Sequence, residues 1–121
     1  YNIRTEIIYF TELLRNLKEN LYTVSDKLNY LENVDILLID DLGAEKVTDW
    51  GRDEILGTIL QTRMNKNMIT FFTSNLTEDE LLKHLSLTKD SEDLVKAKRI
   101  LERIKYLTDD FELLGNNYRN Q

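Results

Sequence analysis

The stretch Val34-Asp35-Ile36-Leu37-Leu38-Ile39-Asp40-Asp41-Leu42-Gly43 constrains this chain more than any other. An apolar, partly β-branched run stops abruptly at two adjacent carboxylates and a glycine. A run this short, bounded by charge and Gly, reads as a buried strand of a parallel sheet. Open α/β sheets place their ligands just beyond the carboxyl ends of such strands. Two acids there carry a desolvation cost unless something positive lies against them, and Mg²⁺ on a nucleotide phosphate meets that need. The plainer reading of the same residues is a strand followed by an acidic turn.

The rest of the chain sets limits on those two readings. Its 121 residues make one domain at most, large enough for a real core but short for a complete nucleotide-binding α/β unit. No run approaches the ~18 apolar residues of a membrane span. Tyr1-Asn2-Ile3-Arg4 is neither a signal peptide nor a natural start. The absence of cysteine excludes disulfides and thiolate zinc sites and suits a reducing cytoplasm. The single histidine, His84, leaves no His-based triad and is expected on the surface of a helix. A net charge of −6 argues against a broad nucleic-acid surface. Proline is absent and there are only four glycines, so helices joined by short polar turns are favoured.

Ile7-Ile8-Tyr9-Phe10 reads as a strand, with Thr11 as cap of a helix carrying Leu13, Leu14, Leu17 and Leu21 on one face. Val24, Leu28 and Leu31 continue as a second short helix. After the acidic pair, residues 50–64 read as a helix with Ile55, Leu56, Ile59 and Leu60 buried. Ile69-Thr70-Phe71-Phe72-Thr73-Ser74 is a second clear strand, ending at Asn75. Thr77-Glu78-Asp79-Glu80 has capping-box spacing and opens a helix with Leu81, Leu82 and Leu85. A longer helix over about 91–107 puts Leu94, Ala97, Leu101 and Ile104 on one side, with Lys96, Arg99 and Arg103 beside them. Phe111-Glu112-Leu113-Leu114 reads as a last strand, turned by Gly115-Asn116-Asn117. Alternating strands and helices predict an α/β fold with a mainly parallel sheet. Right-handed crossovers then bring Asp40, Asp41 and Asn75 to one sheet edge.

Asp40-Asp41, Thr73-Ser74-Asn75, Arg103 and Arg119 follow one another in the order of the second half of an AAA+ ATPase module. The chain resembles the replicative helicase loaders of the DnaC/DnaI type. Four segments carry the resemblance: 37–45, 70–75, 97–104 and 117–119. It implies a partial AAA+, P-loop-like three-layer fold over residues 1–121, from after the Walker A loop through sensor 2. It also implies ATP and Mg²⁺ as cofactors, with Asp40 holding the metal as the Walker B aspartate. Asp41 matches the acid that orients the attacking water. Many relatives carry Glu there, about 1.5 Å longer, so slow hydrolysis suited to a switch is expected. Asn75 matches sensor 1 and Arg103 the arginine finger offered to a neighbouring subunit's nucleotide. Arg119 matches the sensor 2 arginine. The plain alternatives are an Asx turn at Asn75, a solvated helix face at Arg103 and an inert chain end at Arg119.

One departure stands out. No Gly-x-x-x-x-Gly-Lys-[Ser/Thr] occurs, so the phosphate-cradling loop is expected upstream of this chain, and alone the chain should bind nucleotide weakly. An incomplete sheet of this kind is also expected to self-associate. The resemblance implies ATP-dependent loading of a ring helicase in replication initiation or restart, in the cytoplasm, with self-association through AAA+ interfaces and no membrane. Single-stranded DNA is a candidate ligand, although Lys96, Lys98, Arg99 and Lys105 read more simply as a solvated helix face. The alternatives are a transposition-helper ATPase and a non-catalytic docking module. A response-regulator receiver is disfavoured, since the next strand ends in Thr73-Ser74-Asn75 rather than a phosphorylatable Asp.

Overall fold

The computed structural model describes residues 2–108. Strand β1 (Thr5–Tyr9) leads directly into α1 (Phe10–Glu19), a short 3₁₀ turn (Leu21–Thr23) and α2 (Val24–Asn33). Strand β2 (Ile36–Asp40) follows, then a loop, a π-helix (Trp50–Leu56) continuous with α3 (Gly57–Asn65), and β3 (Ile69–Phe72). Helices α4 (Glu78–Leu85) and α5 (Ser91–Thr108) complete the described chain. The expected strand at 111–114 and Arg119 lie outside the described residues.

The three strands are parallel, in the order β1-β2-β3. Register aligns Ile8, Ile39 and Phe72 across the sheet, and Glu6, Leu37 and Thr70 beside them. Of these six, all but Glu6 are buried. That face packs against the helices, where Leu31, Ile55, Leu56, Ile59, Leu60, Leu81, Ala97, Ile100 and Ile104 make a continuous core. The opposite face carries Ile7, Ile69 and Phe71, which are 63%, 55% and 52% exposed. The described residues thus supply two layers of the expected three.

Three expectations need correction. Leu21 does not share the buried face of α1: the helix ends at Glu19, and Leu21 lies in the 3₁₀ turn, 65% exposed. Thr11 does not cap α1: the helix starts one residue earlier, at Phe10, without a side-chain cap, and Thr11 Oγ1 is buried without a partner. Starting there buries Phe10 in the core, an apolar gain that outweighs a cap of about 1 kcal/mol. On α5 the buried stripe is Ala97, Ile100, Leu101 and Ile104, with Leu94 36% exposed. Leu94 lies near the start of the helix, beside Leu82 and Lys83 of α4, and Ile100 takes its place in the buried stripe. The capping box at the start of α4 forms as expected: Thr77 N–H donates to Glu80 Oε1 and Glu80 N–H to Thr77 Oγ1.

Two buried arginines tie the elements together. Arg63 on α3 donates to the carbonyls of Leu31, Val34 and Ile69 and to Thr70 Oγ1. Helix ends leave carbonyls without partners, and Arg63 fills that need at the end of α2. Arg52 in the π-helix donates to Leu85 O at the end of α4 and to Asp53 and Asp93. The hydrogen bond it donates to Asp53 and then that to Asp93 hold its guanidinium protonated against the cost of burial. Helix periodicity singles out neither arginine, since it does not say what a long side chain reaches on another element.

Candidate functional site

The carboxyl ends of β2 and β3 meet at one sheet edge, and Thr73 joins them. Its hydroxyl donates to Asp40 Oδ1 and accepts from the Asp41 N–H at 2.7 Å. Its backbone extends the pairing: Thr73 N–H donates to Ile39 O at 3.0 Å, and Leu42 N–H to Thr73 O at 2.8 Å. Ser74 is buried, and its hydroxyl donates to Leu42 O. Thr-Ser therefore fastens the strand carrying the acids to the strand that leads into Asn75. Asn75 follows at once and is exposed at the same edge.

Asp41 has φ +59° and Gly43 φ +100°. Aspartate tolerates the left-handed region better than most side chains, and glycine enters it freely. A Cβ at Gly43 would lie 2.6 Å from Leu76 Cδ1, so the loop also packs closely on the exit from β3. Asp40 and Asp41 are both half-buried. Oδ2 of Asp40 receives no hydrogen bond from the described residues.

The chemistry of this edge fits a magnesium nucleotide in part. Mg²⁺ dehydrates reluctantly and is held by one or two carboxylates together with substrate phosphates. Adjacent carboxylates with a hydroxyl and an amide side chain beside them meet the protein's share of that requirement. Among the described residues no cluster of three or more His, Asp or Glu forms a self-sufficient metal cage. The phosphates would therefore have to bring the remaining ligands.

Arg103 occupies a different place. It is half-buried on α5, and its Nη1 donates to Gly57 O at 3.3 Å, at the start of α3. Burial and then the neighbouring Arg99 push its pKa down, while Asp53 opposes them. It bonds neither Asp40 nor Asp41. Lys96, Lys98 and Arg99 are exposed, and Lys105 pairs with Glu78. Trp50 is half-buried and packs against the core.

His84 is not the surface residue expected. It is half-buried and bonds the buried Glu45, a contact that helix periodicity does not encode because Glu45 comes from the loop after β2.

The replicative helicase loader DnaI of Bacillus subtilis (strain 168) is 44% identical to this chain over 117 residues, or 94% of the chain. A crystal structure of DnaI superposes with a TM-score of 0.75 at 48% identity, covering 84% of the chain. Over nearly its whole length the chain is similar to DnaI. It spans 38% of the curated DnaI protein and 53% of the DnaI chain in the crystal. No family model matches it. The DnaI likeness accounts for the three-stranded parallel sheet as part of a P-loop, AAA+-type fold. No helix among the described residues is long and apolar enough to cross a membrane.

Proposed function

We propose that this chain is the acid-bearing half of the ATP site of a DnaI-type loader, which places a ring helicase on DNA in replication initiation or restart. The observation that carries this reading is the Thr73 bridge. In a chain 44% identical to a replicative helicase loader, it holds Asp40, Asp41 and the Asn75 segment at one sheet edge. The domain reading is that residues 1–121 are the part of an AAA+ module after the Walker A loop, with the phosphate-binding loop on another part of the protein.

When bound, Mg²⁺ on ATP supplies charge neutralisation for the phosphates. Asp40 is the residue that would hold the ion. Asp41 accepts hydrogen bonds from the attacking water and orients it, and Asn75 aligns that water or the γ-phosphate. Arg103, already displaced from its own subunit's acids, is offered to a neighbour's nucleotide, where a planar cation stabilises developing charge. Arg119 contacts the γ-phosphate in cis. Nucleotide binding between subunits organises self-association, and hydrolysis releases the loader. The ring helicase is the protein partner, single-stranded DNA a ligand of the assembly, and the cytoplasm its site of action.

The test uses the longer protein with its phosphate-binding loop. Asp41→Asn and Arg103→Ala should each lower ATP turnover at least about a hundredfold. Unchanged turnover in both would refute the assigned roles. Pull-down from lysate should retain a hexameric helicase; retention of a transposase instead would replace the loader with a transposition helper.

A further inference from the structure

Glu45 holds a buried carboxylate in mixed surroundings that include Lys46, Thr48 and Arg52. Phe10, Leu14, Val47, Leu56 and Leu85 line the space around it, and its side chain is 4% exposed. A charge buried this way is tolerated when both oxygens are hydrogen-bonded. Both are. Gly43 N–H donates to Oε1 at 2.8 Å, and His84 Nε2 to Oε2 at 3.1 Å. The ring donates from Nε2 because an ionised carboxylate only accepts.

These two bonds close a mechanical loop. The 41–45 turn carries two left-handed residues, Asp41 and Gly43. A non-glycine residue in that region costs about 1–3 kcal/mol and persists only where neighbours fix it. On one side the turn is fixed by Thr73 and Leu42 to the exit of β3. On the other side Glu45 reaches across to α4 through His84. Helix α4 starts from the β3 exit through the Thr77 capping box, so its position and that of the turn are set by the same short segment.

We propose that Glu45 and His84 are positioning residues for the Asp40–Asp41 pair. Through His84, α4 holds Glu45. Glu45 in turn holds the left-handed turn that sets where the Asp41 carboxylate points. A shift of α4 therefore reaches Asp41 through two side-chain hydrogen bonds, without deforming the sheet. This rests on the reading of Asp41 as the acid that orients water.

The longer protein with its phosphate-binding loop is again the material for the test, with His84→Leu and His84→Gln as variants. Leucine fills the ring's space without a donor, whereas glutamine restores an amide N–H near the position of Nε2. His84→Leu should lower kcat for ATP about tenfold, with KM within about twofold, since misplacement of a reacting group lowers rate more than binding. His84→Gln should recover most of that loss. Hydrogen exchange at the Gly43 amide should quicken in the leucine variant and return toward the parent in the glutamine variant. An unchanged kcat in His84→Leu, or an equal loss in both variants, overturns the proposal. If the parent protein itself turns over no ATP, the reading of the ATP site has failed. Gly43 exchange then decides alone: an unchanged rate in His84→Leu overturns the positioning role.

Discussion

Arg63→Met tests what holds α2 to the sheet. The guanidinium is fully buried and donates to Val34 O at 2.6 Å, Ile69 O at 2.7 Å, Thr70 Oγ1 at 2.9 Å and Leu31 O at 3.0 Å. None of these partners is a carboxylate. The charge is balanced by carbonyl dipoles, which include the end of α2, and burial lowers the pKa of the group with Asp35 opposing. Methionine keeps much of the stem's volume and removes every donor. Leu31 and Val34 are 0% exposed and Thr70 3%, so their oxygens gain no water in exchange. A stranded buried acceptor costs about 1–3 kcal/mol, and three of them set a gross loss of about 3–9 kcal/mol. Removing a buried charge returns part of this, leaving about 3 kcal/mol. That is a large fraction of the ~5–15 kcal/mol that stabilises a domain of this size. Melting should fall by roughly 12–24 °C. Urea unfolding followed by far-UV circular dichroism measures the loss directly, and an unchanged m-value shows that the folded state is the same. A variant within about 1 kcal/mol of the parent would refute the claim that these carbonyls need Arg63.

Asp93 is held below the usual carboxylate range. Burial acts against this, but the Thr88 amide and Arg52 outweigh it. Its stabilising effect is complete above the unfolded value of about 3.9 and is lost as pH falls through the lower folded value. Asp93→Asn should therefore flatten the acid limb of stability below about pH 4; parallel urea midpoints for the two proteins from about pH 5 to 2 would contradict this. Gly43→Ala meets both a positive φ and the Leu76 side chain, so a loss of about 1–3 kcal/mol is expected by thermal melting. The bare face bearing Ile7, Ile69 and Phe71 should drive concentration-dependent association of the 121-residue chain. Ile7→Thr with Phe71→Thr should shift its sedimentation toward monomer, and an unaltered distribution would acquit that face.

The features legible in the sequence were those carried by neighbours along the chain. The β2 run with its acids, the Thr77 capping box and the buried stripe of α3 depend on spacing within one element, and spacing is visible in a string of letters. What escaped depends on chemistry between elements. Arg52 and Arg63 look like any exposed helix arginine, since nothing local says that the forks meet Leu85, Leu31 and Val34 carbonyls. His84 reads as a surface residue until Glu45 folds back from the β2 loop to meet it. Thr73 belongs to the matched Thr-Ser-Asn segment. Its bridging of both aspartates follows from strand register, which the letters do not state.

The π-helix at Trp50–Leu56 gives this segment room for a change in length that a regular helix lacks. A wide turn of this kind holds about one residue more than an α-helical turn of the same height. Losing one residue there would let the helix close to regular winding with the segments on either side still in phase, whereas the same loss within α3 would turn what precedes it by about 100°. What the wide turn holds is local: Arg52 lies inside it and reaches Leu85 O and Asp93 from there. A shortened turn would therefore be felt first at the α4–α5 junction and only afterwards at the acids.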